Sequence, residues 1–333
     1  MLYYEMCFWY NWVMEIKLEN LSFGYIKSPL LFCGVNFVVK DKSKVLLLSE
    51  KDGGKTSFLK IVSGLDQSYF GSIYYGGKNV KELGLALTKT SLLFNPPVMK
   101  NSGKVIDELV RPFITNAEIA SKKRLSRKEV KLIKNAKSSE IYEKTTQFLP
   151  NIDTNCRISK LLDNDKMKLS MLRSYLKNPE NVFIDDVDKI EKDELFYKTI
   201  ENKTCILTSS KEVDLGVKID KVLYLSLGKV YEYDSLEEMK SEVVDLSAAY
   251  MFDELRKIDG IVSLTDKGYM LRVDGKNYKF TEKHLKKLEK LSIELYDESE
   301  VVLVVRENEK HVFELLDSGE AYMYDKLTKE KIF

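Results

Sequence analysis

An α/β domain followed by a smaller β-rich domain is the fold class this sequence predicts, and three observations predict it. At Lys44–Val62 a continuous apolar run of strand length enters a polar, glycine-containing turn, and a helical pattern starts at once behind it. At Asn181–Asp186 a second apolar run ends in two carboxylates. From about residue 245 helical, charged stretches give way to short alternating segments separated by turn signals. Apolar runs set among helical patterns imply a parallel sheet covered by helices, whereas alternation implies strands with one wet face.

The composition narrows the field without naming a chemistry. At 333 residues the chain exceeds the usual allowance of about 150 residues per domain, so two domains are expected. Hydrophobic residues at 44% and charged residues at 32% suit a folded globular protein rather than a disordered one. Lys and Arg number 53 against 52 Asp and Glu, a formal net charge of +1. Affinity for nucleic acid rests on a surplus of cations over phosphate, so this balance speaks against a nucleic-acid partner. Cys7, Cys33, Cys156 and Cys205 are scattered, and His284 and His311 are the only histidines in the sequence. Neither a zinc pattern nor a disulfide framework results, and a reducing compartment is expected.

Residues 1–13 are rich in aromatics and lack Lys and Arg. A secretory signal needs a positive start and a spanning helix needs about 20 apolar residues, so the segment is neither. Two readings stand: initiation at Met14, with 1–13 outside the fold, or a short aromatic anchor at a membrane surface. The first domain is expected over 14–240, with a helical insertion at about 95–175, and the β-rich domain over 246–333. In the latter, Asp274-Gly275 sits between the alternating runs Gly268–Val273 and Asn277–Phe280, which is a hairpin signal. A Leu-rich helix at His284–Leu291 and strands at Val301–Arg306, His311–Leu316 and Glu320–Tyr324 complete it.

The segment Ser49-Glu50-Lys51-Asp52-Gly53-Gly54-Lys55-Thr56-Ser57 carries the chemistry. A helix N-terminus behind a tight loop directs free backbone N–H groups at an anion, and glycines let the chain approach phosphate oxygens closely. Lys55 would reach the β and γ phosphates, and Thr56 would ligate Mg2+. The strict GxxxxGK[ST] pattern is broken, because Ser49 replaces its first glycine and Asp52 adds a carboxylate to a loop meant for polyphosphate. A bare Gly-Gly-Lys-Thr also suits an ordinary helix start. The acidic strand decides for nucleotide: Asp185 would hold the Mg2+ shell, Asp186 would orient the attacking water, and the strand is expected to run beside the phosphate-loop strand.

Further segments fall into one order around these two. They are Glu19–Tyr25, Val35–Val39, Gly64-Leu65-Asp66, Gly71–Val80, Leu172–Pro179, Ile206–Ser209 and Asp220–Val230. Together they resemble the ATP-binding subunit of ABC transporters from about Met14 to Ser235. The resemblance implies a P-loop nucleotide-binding domain of ABC type with a helical subdomain, and ATP with Mg2+ as cofactors. It further implies that Tyr25 stacks on adenine, that subunits pair as a homo- or heterodimer, and that transmembrane permease subunits are the partners. The place of work is then cytoplasmic, peripheral on the inner face of the cell membrane.

The departures are as specific as the matches. Where the family carries its LSGGQ signature, this chain has Leu161-Leu162-Asp163-Asn164-Asp165. Ser209 replaces the switch histidine, Asn95 is the nearest substitute for the loop glutamine, Asp186 stands one methylene short of the catalytic glutamate, and Val187 replaces the following proline. Lost transition-state contacts of this kind cost a few kcal/mol each, so ATP hydrolysis is expected to be weak. Asp274–Tyr278, the Leu-rich helix and Val301–Asn308 resemble the oligonucleotide/oligosaccharide-fold regulatory extension of sugar-importer subunits. An importer-type ATP-binding subunit with weakened hydrolysis is the leading expectation; a non-hydrolysing regulatory or scaffold subunit is the alternative. The basic run Lys122–Lys134 reads as a solvated helix face, or as a contact for anionic lipid heads or an acidic coupling element.

Overall fold

The structure, a computed structural model, describes residues 15–83, 90–266, 268–291, 295–305 and 321–332. The expectations for residues 1–13, for the Arg306–Asn308 turn and for a strand at His311–Leu316 lie outside the described residues. The chain forms two compact units, Met1–Asp234 and Ser235–Phe333.

Two sheets make up the first unit. Strands β1 (Ile16–Gly24), β2 (Leu30–Val39), β4 (Phe70–Tyr75) and β5 (Lys78–Asn79) form an antiparallel sheet in the order β2-β1-β4-β5. Strands β3 (Lys44–Leu48), β6 (Thr90–Leu93), β7 (Asn181–Ile184), β8 (Thr204–Ser209), β9 (Lys221–Ser226) and β10 (Lys229–Tyr233) form the other, in the order β10-β9-β3-β8-β7-β6. All its pairings are parallel except β9 with β10. A central parallel strand is covered on both faces, which is why Val45–Leu48 and all of β7 are apolar or buried without alternation. Helix α1 (Lys55–Val62) leaves β3 through the loop and buries Phe58, Leu59, Ile61 and Val62 in a core shared with Ile16, Leu18, Phe183 and Ile206.

One expectation fails here. The acidic strand β7 does not pair with the phosphate-loop strand β3; β8 lies between them and pairs with both. The reason is that β3 already has β8 and β9 as neighbours, so both its edges are taken.

The helical insertion comprises α3 (Val105–Ser121), α4 (Arg127–Phe148) and α5 (Asp163–Lys177), after the short α2 (Val80–Leu83). The basic run is not one helix face. Lys122, at φ 52°, ends α3 in the left-handed region, and α4 starts afresh at Ser126. There the Ser126 hydroxyl accepts from the Glu129 N–H at 3.3 Å while the Glu129 carboxylate accepts from the Ser126 N–H at 2.7 Å, a reciprocal cap. Helix α5 stops at Asn178 (φ 49°), just before Pro179. Helix α6 (Glu194–Ile200) precedes β8.

Among the described residues the second unit holds α7 (Leu236–Ser241), α8 (Leu246–Ala249) and five antiparallel strands: β11 (Arg256–Thr265), β12 (Gly268–Val273), β13 (Lys276–Lys279), β14 (Ser299–Val305) and β15 (Ala321–Asp325). Their order is β13-β12-β11-β14-β15, with α9 (Glu282–Leu291) between β13 and β14 in the chain. The β12–β13 turn has Asp274 at φ 49° and Gly275 at φ 73°, the left-handed pair that a tight hairpin requires. Leu271, Val301, Leu303 and Met323 build its core.

Candidate nucleotide site

A cleft of ≈ 440 Å³ opens over the N-terminus of α1. Tyr25, Lys51, Asp52, Gly54, Lys55, Thr56, Ser57 and Asp186 line it, so most of the residues singled out from the sequence meet at one place. Gly54 caps the helix at φ 100°, where a side chain would be strained, and directs the first turn of α1 at the cleft. The first turn of α1 carries no acidic residue.

Lys55 is 6% exposed, and its ammonium donates to the Ser49 carbonyl at 3.0 Å and the Glu50 carbonyl at 2.9 Å. Burial holds the Lys55 amine below its ordinary range, while the carboxylates of Asp186, Asp185 and Asp188 pull the other way. Thr56 Oγ1 donates to Asp185 Oδ2 at 2.6 Å, and Thr208 Oγ1 donates to Asp185 Oδ1 at 2.8 Å. Asp185 is 3% exposed, so its oxygens are satisfied by these hydroxyl donors rather than by water. Thr208 Oγ1 also accepts from the Asp186 N–H at 3.0 Å and so joins both acids. Thr208 carries no motif of its own in the sequence; its position at the end of β8, one residue before Ser209, is the signal that points to it.

Four predicted residues, Ser49, Glu50, Gly53 and Asp185, do not line the cleft. Ser49 is fully buried, and its hydroxyl has no hydrogen-bond partner. A Cβ on Gly53 would stand 2.0 Å from the Ser49 Oγ, so a side chain at 53 would force the serine hydroxyl to turn away. Glu50 contributes its carbonyl to Lys55. Tyr25 is 53% exposed, rests edge-on against Phe23 at 5.0 Å, and pairs its hydroxyl with Ser57 Oγ at 2.8 Å, which leaves a ring face open at the cleft mouth.

The catalytic candidates are differently placed. Asp186 sits in the left-handed region at φ 50° and its carboxylate is paired with the Lys189 ammonium, a cleft residue the sequence reading did not pick. Ser209 is fully buried and turned onto its own bend: its hydroxyl donates to the Lys211 carbonyl at 2.6 Å and accepts from the Lys211 N–H at 3.2 Å. Asn95 does not line the cleft. Asp163 and Asp165 occupy the first turn of α5, whose Leu162 cap makes no side-chain bond.

The donor set fits a magnesium nucleotide. Mg2+ takes hard oxygen ligands, commonly one or two protein oxygens beside substrate phosphates, and Thr56 with Asp185 supplies that pair. Among the described residues no group of three or more His, Cys, Asp or Glu is placed to hold a metal without such help.

No protein-family model matches the chain. Among curated proteins it is 24% identical over 235 residues to the lipoprotein-releasing system ATP-binding protein LolD of Wigglesworthia glossinidia brevipalpis, a match covering 67% of this chain and 98% of that one. It is 24% identical over 240 residues to the ABC transporter ATP-binding protein/permease VMR1 of Saccharomyces cerevisiae, covering 68% of this chain and 15% of that protein. It is 22% identical over 226 residues to the mitochondrial iron-sulfur clusters transporter ABCB7 of Rattus norvegicus, covering 65% and 29%. The chain therefore spans less than a third of the two larger relatives. Of solved structures, an ATP-binding subunit of an ABC transporter superposes with a TM-score of 0.54 at 17% identity, covering 68% of this chain and 92% of that one. A bacterial Atm1-family ABC exporter with ATP bound gives 0.53 at 16% identity, covering 71% and 41%. The chain has the fold of an ABC transporter ATP-binding subunit, and the resemblance carried by its motifs holds.

Proposed function

We propose that the chain binds MgATP over residues 49–57, docks as a dimer on separate transmembrane permease subunits, and hydrolyses ATP weakly. The observation that carries this reading is the joint of Lys55, Thr56 and Asp185 at the start of α1, set against the acids in the first turn of α5. Tyr25 stacks the adenine, the α1 N-terminus and Lys55 take the phosphates, and Thr56 with Asp185 holds Mg2+, which draws charge from the γ-phosphate when bound. Asp186 orients the attacking water once its carboxylate leaves Lys189. Among the described residues no helix is long and apolar enough to cross a membrane, so a peripheral place on the inner face depends on the permease.

The importer direction rests on the second unit alone. Its strand order, with a helix between the third and fourth strands, supports the oligonucleotide/oligosaccharide-fold reading of a five-stranded, partly open barrel. The relatives whose names state a direction release or export, so direction is a separate question from nucleotide binding. The non-hydrolysing alternative draws support from Ser209, spent on its own turn, and from the Asp186–Lys189 pair.

Binding and turnover are measured separately on the full chain, with Lys55→Ala and Asp186→Asn as comparisons. Turnover abolished by Asp186→Asn supports the weak ATPase. MgATP binding without turnover assigns the regulatory or scaffold reading. No MgATP affinity in the unaltered chain sinks both.

A further inference from the structure

A second cleft, of ≈ 240 Å³, lies between α3, α5 and the edge strand β6, and shares no lining residue with the nucleotide cleft. Its walls bring together three cations, Arg111, Arg173 and Lys177, with the hydroxyls of Thr115, Ser170 and Ser174 beside them. One carboxylate, Glu108, faces the cations and is 2% exposed. Its Oε1 accepts from Arg111 Nη2 at 2.8 Å and its Oε2 from Arg173 Nη1 at 3.0 Å.

The charge does not balance. A guanidinium has five N–H donors, and Glu108 accepts through one nitrogen of each arginine. The Lys177 ammonium, with three donors, gives one bond to the Thr90 carbonyl at 2.6 Å. Burial, and after it the Arg173 cation, holds the Lys177 amine below its ordinary range. Ser174 is 3% exposed, and its hydroxyl has no partner.

We propose that this cleft binds a compact oxyanion of phosphate chemistry, gripped by Arg111, Arg173 and Lys177 with the Ser174 hydroxyl beside them. Three cationic groups from two helices suit a tetrahedral anion with several charged oxygens better than a planar carboxylate with two. The volume holds roughly eight waters at about 30 Å³ each, enough for a phosphate monoester but small for a nucleotide. Arg111, with a side chain 55% exposed, stands at the open edge, so the phosphate can be free in solution or borne on a lipid head group. The proposal is independent of what residues 49–57 bind.

Inorganic phosphate is the first probe, titrated by calorimetry into the full chain carrying Lys55→Ala, so that the nucleotide loop does not compete. Saturable binding is expected, weakened tenfold or more by Arg111→Gln and by Lys177→Gln at matched ionic strength. Ser174→Ala, the mildest change, should weaken it several-fold with an unaltered circular dichroism spectrum, which separates loss of the site from loss of the fold. Co-sedimentation with vesicles of phosphatidic acid in phosphatidylcholine identifies the source: pelleting that Arg111→Gln removes assigns a head group, and phosphate binding without pelleting assigns a soluble ligand. Absence of phosphate binding, or binding that all three variants leave unchanged, overturns the proposal.

Discussion

Helices α1 and α5 each present a free N-terminus, and they differ in what the sequence put there. Helix α1 starts at a left-handed glycine, has no acid in its first turn, and buries a lysine beneath the loop. Helix α5 starts at Leu162 without a side-chain cap and carries Asp163 and Asp165 in its first turn. Both helices have the same dipole, which favours an anion at the N-terminus. At α1 that preference is left for a ligand; at α5 the chain's own carboxylates satisfy it. The difference teaches that a helix N-terminus can serve as a phosphate site only while the protein leaves it open.

The largest test strikes the side that is kept. Lys55→Ala should lower MgATP affinity by a hundredfold or more, about 2.7 kcal/mol, as read by calorimetry. Unchanged affinity would break the contrast, since the loop would then not be the phosphate site. Next comes the packing of the loop itself. Gly53→Ala drives a methyl into the Ser49 hydroxyl and should destabilise the chain by roughly 1–3 kcal/mol in denaturant melts. Ser49→Gly in the same chain should recover most of that loss, and its failure to do so would place the strain elsewhere.

Removing the acids of α5 tests the other side. Asp163→Asn with Asp165→Asn should cost about 1 kcal/mol of stability, because each aspartate complements the dipole. The same pair should strengthen MgATP-driven self-association about tenfold in analytical ultracentrifugation; no gain would show that those charges are not what holds the dimer site apart. The smallest effect belongs to a third N-terminus. At α4 the Ser126–Glu129 cap closes on itself, and the Ser126 hydrogen bonds, then Lys123, hold the Glu129 carboxyl down from an ordinary 4.5 to about 2. A depressed carboxyl stabilises the fold above its unfolded value, and the contribution fades as pH falls from about 4.5 toward 2. Ser126→Ala should cost about 1 kcal/mol at neutral pH and less in acid, measured by urea unfolding at both.

Elements with local chemistry were legible in the sequence. The strand–loop–helix at Lys44–Val62, the β12–β13 hairpin and the α9 helix follow from apolar runs, a Gly-Gly-Lys-Thr turn and an Asp-Gly pair, each decided by neighbours in the chain. Strand β11 went unread although Ile258, Gly260 and Val262 alternate with polar or half-buried positions, because the glycine interrupts the apolar pattern. What depends on long-range pairing was not legible: that β8 separates β3 from β7, or that Thr208 ties Asp185 to Asp186. The place of Ser209 was also hidden, since whether a hydroxyl faces a ligand or its own turn is set by the path of the loop after it.

The fit of Ser49 against Gly53 has a consequence for how this loop can change. With serine at 49, a β-carbon at 53 must displace the serine hydroxyl, so the order in which the two sites change matters. A route toward the common form of the loop runs more easily when the serine is lost before any side chain returns at 53. The reverse order passes through a contact that the Ser49 hydroxyl must rotate to relieve. The pair therefore orders its own substitutions: the serine can revert in one step while position 53 is glycine, and a side chain at 53 comes second.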